Sequence, residues 1–114
     1  MNNEQRIPLD PLKYIRRCIK ERKIFWTYHV NMRLKGRFIS RKEILESVSH
    51  FEIIEEYPDD KYFPSYLVYS WNKGDIFHIL FAIDVIENNI RVITAYHPDS
   101  QEWNENFKKR RHSK

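Results

Sequence analysis

The sequence predicts an α+β domain in which N-terminal helices pack on a small antiparallel sheet of three to four strands, with a C-terminal helix. Apolar residues recur at helical spacing up to about residue 48, and from about residue 51 they alternate at a spacing of two. Turn-forming residues separate these segments, and helices followed by strands are typical of the α+β class. A length of 114 residues with 41% hydrophobic residues suits a single domain, 1–114.

The first helix has a clear start in the sequence. Residues 1–6 are mostly polar, and residues 1–8 are expected to be flexible. Asp10 can cap a helix that begins at Pro11 and ends near Lys23. Residues 24–27 are apolar and β-prone, so they form either a short strand or a joint between helices.

Two further helices are predicted from their capping residues. Thr27 can cap a second helix over residues 28–36, and Gly36 suits the C-terminal cap. Ser40 stands three residues before Glu43, which is the spacing of a capping box at the start of a third helix.

The pattern of the second half of the chain predicts strands, with a hairpin turn at residues 72–75. It also predicts a closing helix at about residues 100–109, and the tail (109–114) is expected to be flexible. In the strand from residue 76 to 86, alternation gives one wholly apolar face, which we assign to the core. His78 belongs to the opposite face, called the outer face below, and Thr94 and Tyr96 share one face of the last strand. The predicted strands cover residues 51–55, 66–71, 76–86 and 90–96.

Charge is segregated along the chain. Residues 1–50 carry twelve Lys or Arg against five Asp or Glu, residues 51–107 carry three against eleven, and residues 108–114 carry five basic groups and no acidic one. This distribution predicts a basic surface that meets a polyanion or an acidic partner. The alternative is that the basic and acidic parts neutralise each other across the fold.

The cysteine content and the N-terminus indicate a compartment. The one cysteine, Cys18, can form neither an internal disulfide nor a cysteine-based metal site, and it falls in a helical pattern as a small apolar residue. The sequence shows no signal peptide and no apolar run long enough to cross a membrane. We therefore expect a cytoplasmic protein that makes no membrane contact.

The strongest site candidate is a stripe on the second helix. His29, Arg33 and Arg37 are spaced by four, so they lie on one helix face, and we call them the cationic ridge. Arginine matches phosphate oxygens with its planar fork, and an imidazole can carry a proton near neutral pH. The alternative is a solvated ridge that is paired with acidic residues of the 51–107 segment.

Three more groups could complete such a site on the outer face. His78, Thr94 and Tyr96 could supply a general acid, a general base and a phosphate donor if they emerge together. The alternative for each is a packing role. The sequence contains no glycine-rich phosphate loop, no nucleophile elbow and no His-Glu-x-x-His motif.

The stretch that begins at His29 resembles the opening signature of a known family. It reads HVNMRLKGRFIS: a His, an Arg four residues on, an Arg four further, and an Ile-Ser start of an apolar helix. This order is similar to that of the DUF4258 family. The run VITAYHPD (residues 92–99), followed by Trp103 and Phe107, resembles the last strand and tail of the same family, and His78 stands where the family tends to place a histidine.

The resemblance covers about residues 12–110 and has two departures. Phe38 stands where the family often has Gly, which bears on the joint between two helices, and His97 stands where it often has Arg. The second departure either removes a phosphate contact or adds an acid/base group.

The resemblance implies a fold and an activity. The family is placed with RelE/ParE-like and colicin-type RNase toxins, so it implies an endoribonuclease that needs no cofactor or metal, has RNA as its substrate and is held in check by an antitoxin protein. The rival is a non-catalytic module that binds a nucleic acid or an acidic protein through the same ridge. The resemblance and the residues together give His29, His78, Thr94 and Tyr96 as catalytic candidates and Arg33, Arg37, Arg41 and His97 as substrate-binding candidates.

Overall fold

A computed structural model describes residues 6–111 and contains a five-stranded sheet with three helices. The predicted α+β class is confirmed. Residues 1–5 and 112–114, which belong to the segments expected to be flexible, lie outside the described range. The elements are α1 (Pro11–Lys20), β1 (Ile24–Trp26), α2 (Tyr28–Gly36), α3 (Arg41–Glu46), a 3₁₀ turn (Val48–His50), β2 (Glu52–Tyr57), β3 (Ser65–Asn72), β4 (Asp75–Asp84) and β5 (Asn89–Tyr96).

The sheet has the strand order β1-β5-β4-β3-β2. Strands β2 to β5 form an antiparallel meander, and β1 pairs with β5 in parallel. The predicted antiparallel sheet of three to four strands therefore differs from the structure in two respects. The sheet has five strands because β1 is added at its edge, and it is mixed because β1 pairs in parallel. β1 is held by only three residue pairs, from Ile24 with Ile90 to Trp26 with Val92, so its pairing depends on tertiary contacts more than on its own sequence.

The predicted helix starts are confirmed by their caps. The side chain of Asp10 accepts a hydrogen bond from the Lys13 amide at 3.1 Å, and Thr27 Oγ1 accepts one from the Val30 amide at 3.0 Å. The Ser40 capping box is complete. These caps depend on neighbours within one helical turn, which is why the sequence predicts them well.

The predicted C-terminal helix is wrong. After Trp103 completes one turn onto the Asp99 carbonyl, the chain continues as turns. The side chains of Asn104 and Asn106 accept hydrogen bonds from backbone amides, so they compete with helical bonding, and Phe107 adopts a left-handed φ of 61°. Trp103 and Arg110 then form an isolated antiparallel bridge.

The core lies between the helices and one face of the sheet. The apolar face predicted for β4 is confirmed, since its side chains are fully buried at Phe77, Ile79, Phe81 and Ile83. The free Cys18 is also buried there, in agreement with its interpretation as a small apolar residue. No helix within residues 6–111 has the length and apolar character needed to cross a membrane.

The end of α2 differs from its prediction. Gly36 is the last helical residue, but the left-handed conformation that ends the helix is adopted two residues later by Phe38, at φ 57°. The Ile39 amide donates to the Leu34 carbonyl at 3.1 Å, which is the bonding of a Schellman motif. The joint therefore keeps the geometry that favours glycine, although a phenylalanine occupies it.

Replacing Phe38 with glycine is expected to raise the free energy of unfolding by about 1 kcal/mol. The phenylalanine side chain is 87% exposed, so little packing is lost while the strained φ is relieved. Urea unfolding followed by circular dichroism measures the change. Phe38→Ala is the matched control, because it removes the ring but keeps the Cβ atom that causes the strain; an equal gain in both variants would contradict the explanation.

Candidate active site

The outer face of the sheet carries its side chains in rows that cross the strands. Because paired residues of neighbouring strands point to the same face, the register brings the predicted His78, Thr94 and Tyr96 to this face together. The first row is Glu52, Tyr69, His78 and Tyr96; the second is Glu55, Leu67, Leu80 and Thr94; the third is Tyr57, Ser65, Ala82 and Arg91.

The first row is covered by residues 98–111, called the C-terminal segment below. The Trp103 ring packs edge-on against His78 with ring centroids 4.5 Å apart, and both residues are almost completely buried, at 1% and 0% exposure. The ammonium group of Lys108 lies 3.0 Å from the Glu52 carboxylate at the far end of the row. His78 lies on the outer face as predicted, but it is covered by protein.

The hydrogen bonds of His78 fix its protonation. Its Nε2 lies 2.7 Å from the Phe107 carbonyl oxygen, which can only accept, so Nε2 carries a proton. Its Nδ1 then accepts from the Tyr96 hydroxyl at 3.3 Å. Burial lowers the pKa of His78 and raises the pKa of Tyr96 to about 12. Both groups are neutral near pH 7, and both ring nitrogens of His78 are occupied.

A clamp from β2 holds the C-terminal segment in place. Arg110 binds the Glu55 carboxylate through two hydrogen bonds, of 2.7 and 3.2 Å, and its guanidinium lies 4.5 Å from the centre of the Trp103 ring. Burial alone would raise the pKa of Glu55, but hydrogen bonds from Arg110 and Tyr57 outweigh it and lower that pKa. Part of the basic tail is therefore neutralised across the fold, as the alternative interpretation of the charge pattern expected.

The cationic ridge is different. His29, Arg33 and Arg37 are exposed along α2, while Val30 and Leu34 on the other side of the helix are buried in the core. Among the ion pairs of residues 6–111, no carboxylate oxygen lies within 4.0 Å of a ridge side chain. Within residues 6–111, the cationic ridge is therefore not paired with the acidic 51–107 segment, which was the alternative interpretation.

One ridge residue is fixed against the sheet. Arg37 Nη1 donates to the Ala95 carbonyl at 2.7 Å and to Thr94 Oγ1 at 3.1 Å. The pairing of β1 with β5 ends at Val92, so the Ala95 carbonyl lies beyond the end of β1 and Arg37 occupies it. These bonds join the ridge to the second row of the outer face at Thr94.

The two remaining candidates are tied to other groups. Arg41 Nε donates to the Asn31 side chain at 2.9 Å, and its guanidinium lies 5.0 Å from the Trp26 ring centre. His97 Nε2 lies 3.2 Å from an Asp75 carboxylate oxygen, at the start of β4. The structure thus brings together Arg37 with Thr94 and His78 with Tyr96, but places Arg41 and His97 in separate contacts.

A groove that the sequence reasoning missed lies on the outer face and has a volume of about 640 Å³. The apolar side chains of Leu80, Ala82 and Ile93 line its floor. Residues 60–63 line a second side, and Thr27, which caps α2, also lines the groove. The register shifts by one residue at Ile93, which forms a bulge in β5. This bulge brings Arg91 to the same face as Thr94, whereas simple alternation places it on the other face.

Within residues 6–111, His, Cys, Asp and Glu side chains do not gather in groups of three or more that could hold a metal ion. The polar groups available to a ligand in this region are those of the cationic ridge, Thr94 and the groove.

Comparison with known proteins gives one match. The model of a family described as "Domain of unknown function (DUF4258)" matches residues 26–97. The match contains the ridge, the outer-face rows and the groove, and it ends before the C-terminal segment. Neither a curated protein nor a solved structure matches the chain.

Proposed function

The chain belongs to the DUF4258 family, and from this premise we propose that it is a metal-independent endoribonuclease, the toxin of a toxin–antitoxin pair, with its site at the cationic ridge. The observation that carries the proposal is the position of Arg37. This arginine is oriented by the Ala95 carbonyl and Thr94, at the end of a ridge that makes no ion pair with the rest of residues 6–111. A fixed guanidinium in an unpaired cationic stripe is suited to bind a phosphate group.

Each residue of the cationic ridge has a role in the proposed reaction. His29 takes the proton from an RNA 2′-hydroxyl, and the 2′-oxygen attacks the adjacent phosphorus. The bond from phosphorus to the 5′-oxygen breaks, leaving a 2′,3′-cyclic phosphate on one product and a 5′-hydroxyl on the other. Arg33 and Arg37 stabilise the negative charge that grows on the phosphoryl oxygens, and the preformed bonds of Arg37 reduce its reorganisation during the reaction.

The source of the leaving-group proton differs from the expectation drawn from the sequence. His78 and Tyr96 were the expected acids, but the C-terminal segment covers them and their hydrogen-bonding atoms are engaged. In the proposal, water at the exposed ridge supplies this proton. His78 and Tyr96 instead hold the C-terminal segment on the sheet.

The second candidate function is a non-catalytic module that binds RNA through the same ridge. The burial of His78 favours it, because His29 is then the one histidine of the ridge and outer face that stays exposed within the described residues. Both candidates need the cationic ridge, so binding alone does not separate them.

Cleavage of single-stranded RNA in the presence of EDTA separates the two candidates. We expect the purified protein to cut an RNA oligonucleotide and to leave 2′,3′-cyclic phosphate ends, and to leave the 2′-deoxy oligonucleotide of the same sequence intact. Mass spectrometry identifies both products. Binding of RNA without cleavage would support the binding module, and cleavage that stops on addition of EDTA would contradict metal independence.

A further inference from the structure

We infer that the groove on the outer face is a base-binding subsite, which takes one unstacked nucleobase of a single-stranded RNA whose phosphate lies on the cationic ridge. The inference rests on the proposed contact with RNA and adds the part of the substrate that the ridge does not explain. It is carried by three features of the groove: its aromatic wall, its apolar floor and its position.

The wall of the groove presents aromatic rings together with cations. Tyr62 is 76% exposed, and the ammonium group of Lys61 lies 5.3 Å from its ring centre. Next to it, the Arg91 guanidinium lies 4.7 Å from the centre of the Phe63 ring. Exposed aromatic faces and arginine planes are the surfaces on which single-stranded bases stack, whatever the base.

The floor of the groove suits a base better than a phosphate. Asp60 lines the groove, and its carboxylate accepts a hydrogen bond from the Ser65 hydroxyl. The backbone carbonyl oxygen of Asp60 accepts a hydrogen bond from the Arg6 guanidinium at 2.7 Å, so both the side chain and the backbone of Asp60 are held in place. Asp60 contributes one negative charge to the lining, and Lys61 and Arg91 contribute two positive charges. The floor at Leu80, Ala82 and Ile93 is apolar, and such a surface suits an uncharged base better than a phosphate.

The position of the groove connects it to the proposed reaction. Thr27 lines the groove and caps α2 two residues before His29. On the other side, Ile93 lines the groove and precedes Thr94, which Arg37 binds. A base in the groove therefore places its own backbone beside the ridge. The volume, about 640 Å³, lies within the range of small-molecule sites and accommodates a nucleotide.

The test measures binding to an RNA that cannot be cleaved. Fluorescence anisotropy with a 2′-O-methyl RNA hexanucleotide is compared with the same backbone carrying an abasic nucleotide at each position in turn. We expect removal of one particular base to weaken binding by roughly 5- to 100-fold. Tyr62→Ala should cause a similar loss and make binding insensitive to that abasic position, whereas Tyr62→Phe, which keeps the ring, should bind within about twofold of the wild type.

The outcomes for the groove and for the ribonuclease proposal are distinguishable. Base-dependent binding that Tyr62→Ala abolishes, without cleavage of ordinary RNA, would support the groove and overturn the catalytic proposal. Cleavage that Tyr62→Ala leaves unchanged, with binding insensitive to every abasic position, would overturn the groove and leave the ribonuclease standing. A wild-type protein that binds no RNA would overturn both.

Discussion

Replacing His29 with alanine is expected to lower the rate constant for RNA cleavage by roughly 100- to 10,000-fold, the effect of losing a general base. RNA affinity should change much less, because Arg33 and Arg37 remain. The His29 side chain is exposed on α2, so the free energy of unfolding should stay within about 0.5 kcal/mol of the wild type. Single-turnover cleavage in EDTA, with binding measured separately, gives the two constants.

The matched control for this variant is Lys35→Ala. Lys35 is also exposed on α2 but does not belong to the 29-33-37 stripe, so its removal changes the charge of the helix without touching the ridge. We expect the control to cleave at close to the wild-type rate. If His29→Ala and Lys35→Ala lose affinity equally and neither changes the cleavage rate constant, His29 contributes charge alone and the assigned base is wrong.

Features that depend on near neighbours could be predicted from the sequence. The caps at Asp10, Thr27 and Ser40 act within one turn, and the apolar alternation of β4 needs nothing beyond the strand itself. The placement of His78 on the outer face follows from the same alternation. What the alternation could not predict is the cover over His78, because it comes from the C-terminal segment, in which Phe107 lies 29 residues further along the chain.

One residue, Ile93, explains why the groove could not be predicted from the sequence. The bulge at Ile93 breaks the period of two, and every residue of β5 before it changes face relative to a regular strand. Regular alternation from Thr94 would place Arg91 on the inner face, whereas the bulge places it on the outer face. Tyr62 and Phe63 also line the groove, and nothing local to them in the sequence indicates this, because their partners lie on β3, β4 and β5.

The same limit applies to the tail. A run of basic residues from 108 onward predicts a mobile, nucleic-acid-binding end, yet Lys108 and Arg110 are paired with Glu52 and Glu55 of β2. Two carboxylates of β2 thus neutralise part of the basic tail, whereas the cationic ridge makes no ion pair within residues 6–111. Charge segregation predicts a basic surface, but it could not predict that Lys108 and Arg110 contact β2, because that contact forms only when the C-terminal segment crosses the sheet.

Replacing Trp103 with alanine is expected to lower the free energy of unfolding by about 3–5 kcal/mol, a large fraction of the stability of a small domain. The indole is buried between the His78 ring and the Arg110 guanidinium, so its loss leaves a cavity and loosens the C-terminal segment. Urea unfolding measures the change. Trp71→Ala is the control, because Trp71 is 40% exposed and should cost much less; equal losses would show that Trp103 is not a central contact.

The pH dependence of stability tests whether the lost contact is the one to His78. Burial lowers the pKa of folded His78 below its ordinary value of 6.5, so below that pH the unfolded state binds more protons than the folded state. Neutral His78 therefore makes its full contribution to the free energy of unfolding above pH 6.5. This contribution decreases as the pH falls below 6.5, by at most about 1.4 kcal/mol per pH unit. In Trp103→Ala water reaches the imidazole, so its pKa returns toward 6.5 and the loss between pH 7.5 and 5.5 should be smaller than in the wild type and in Trp71→Ala. The same loss in all three proteins would mean that the indole does not keep water from His78.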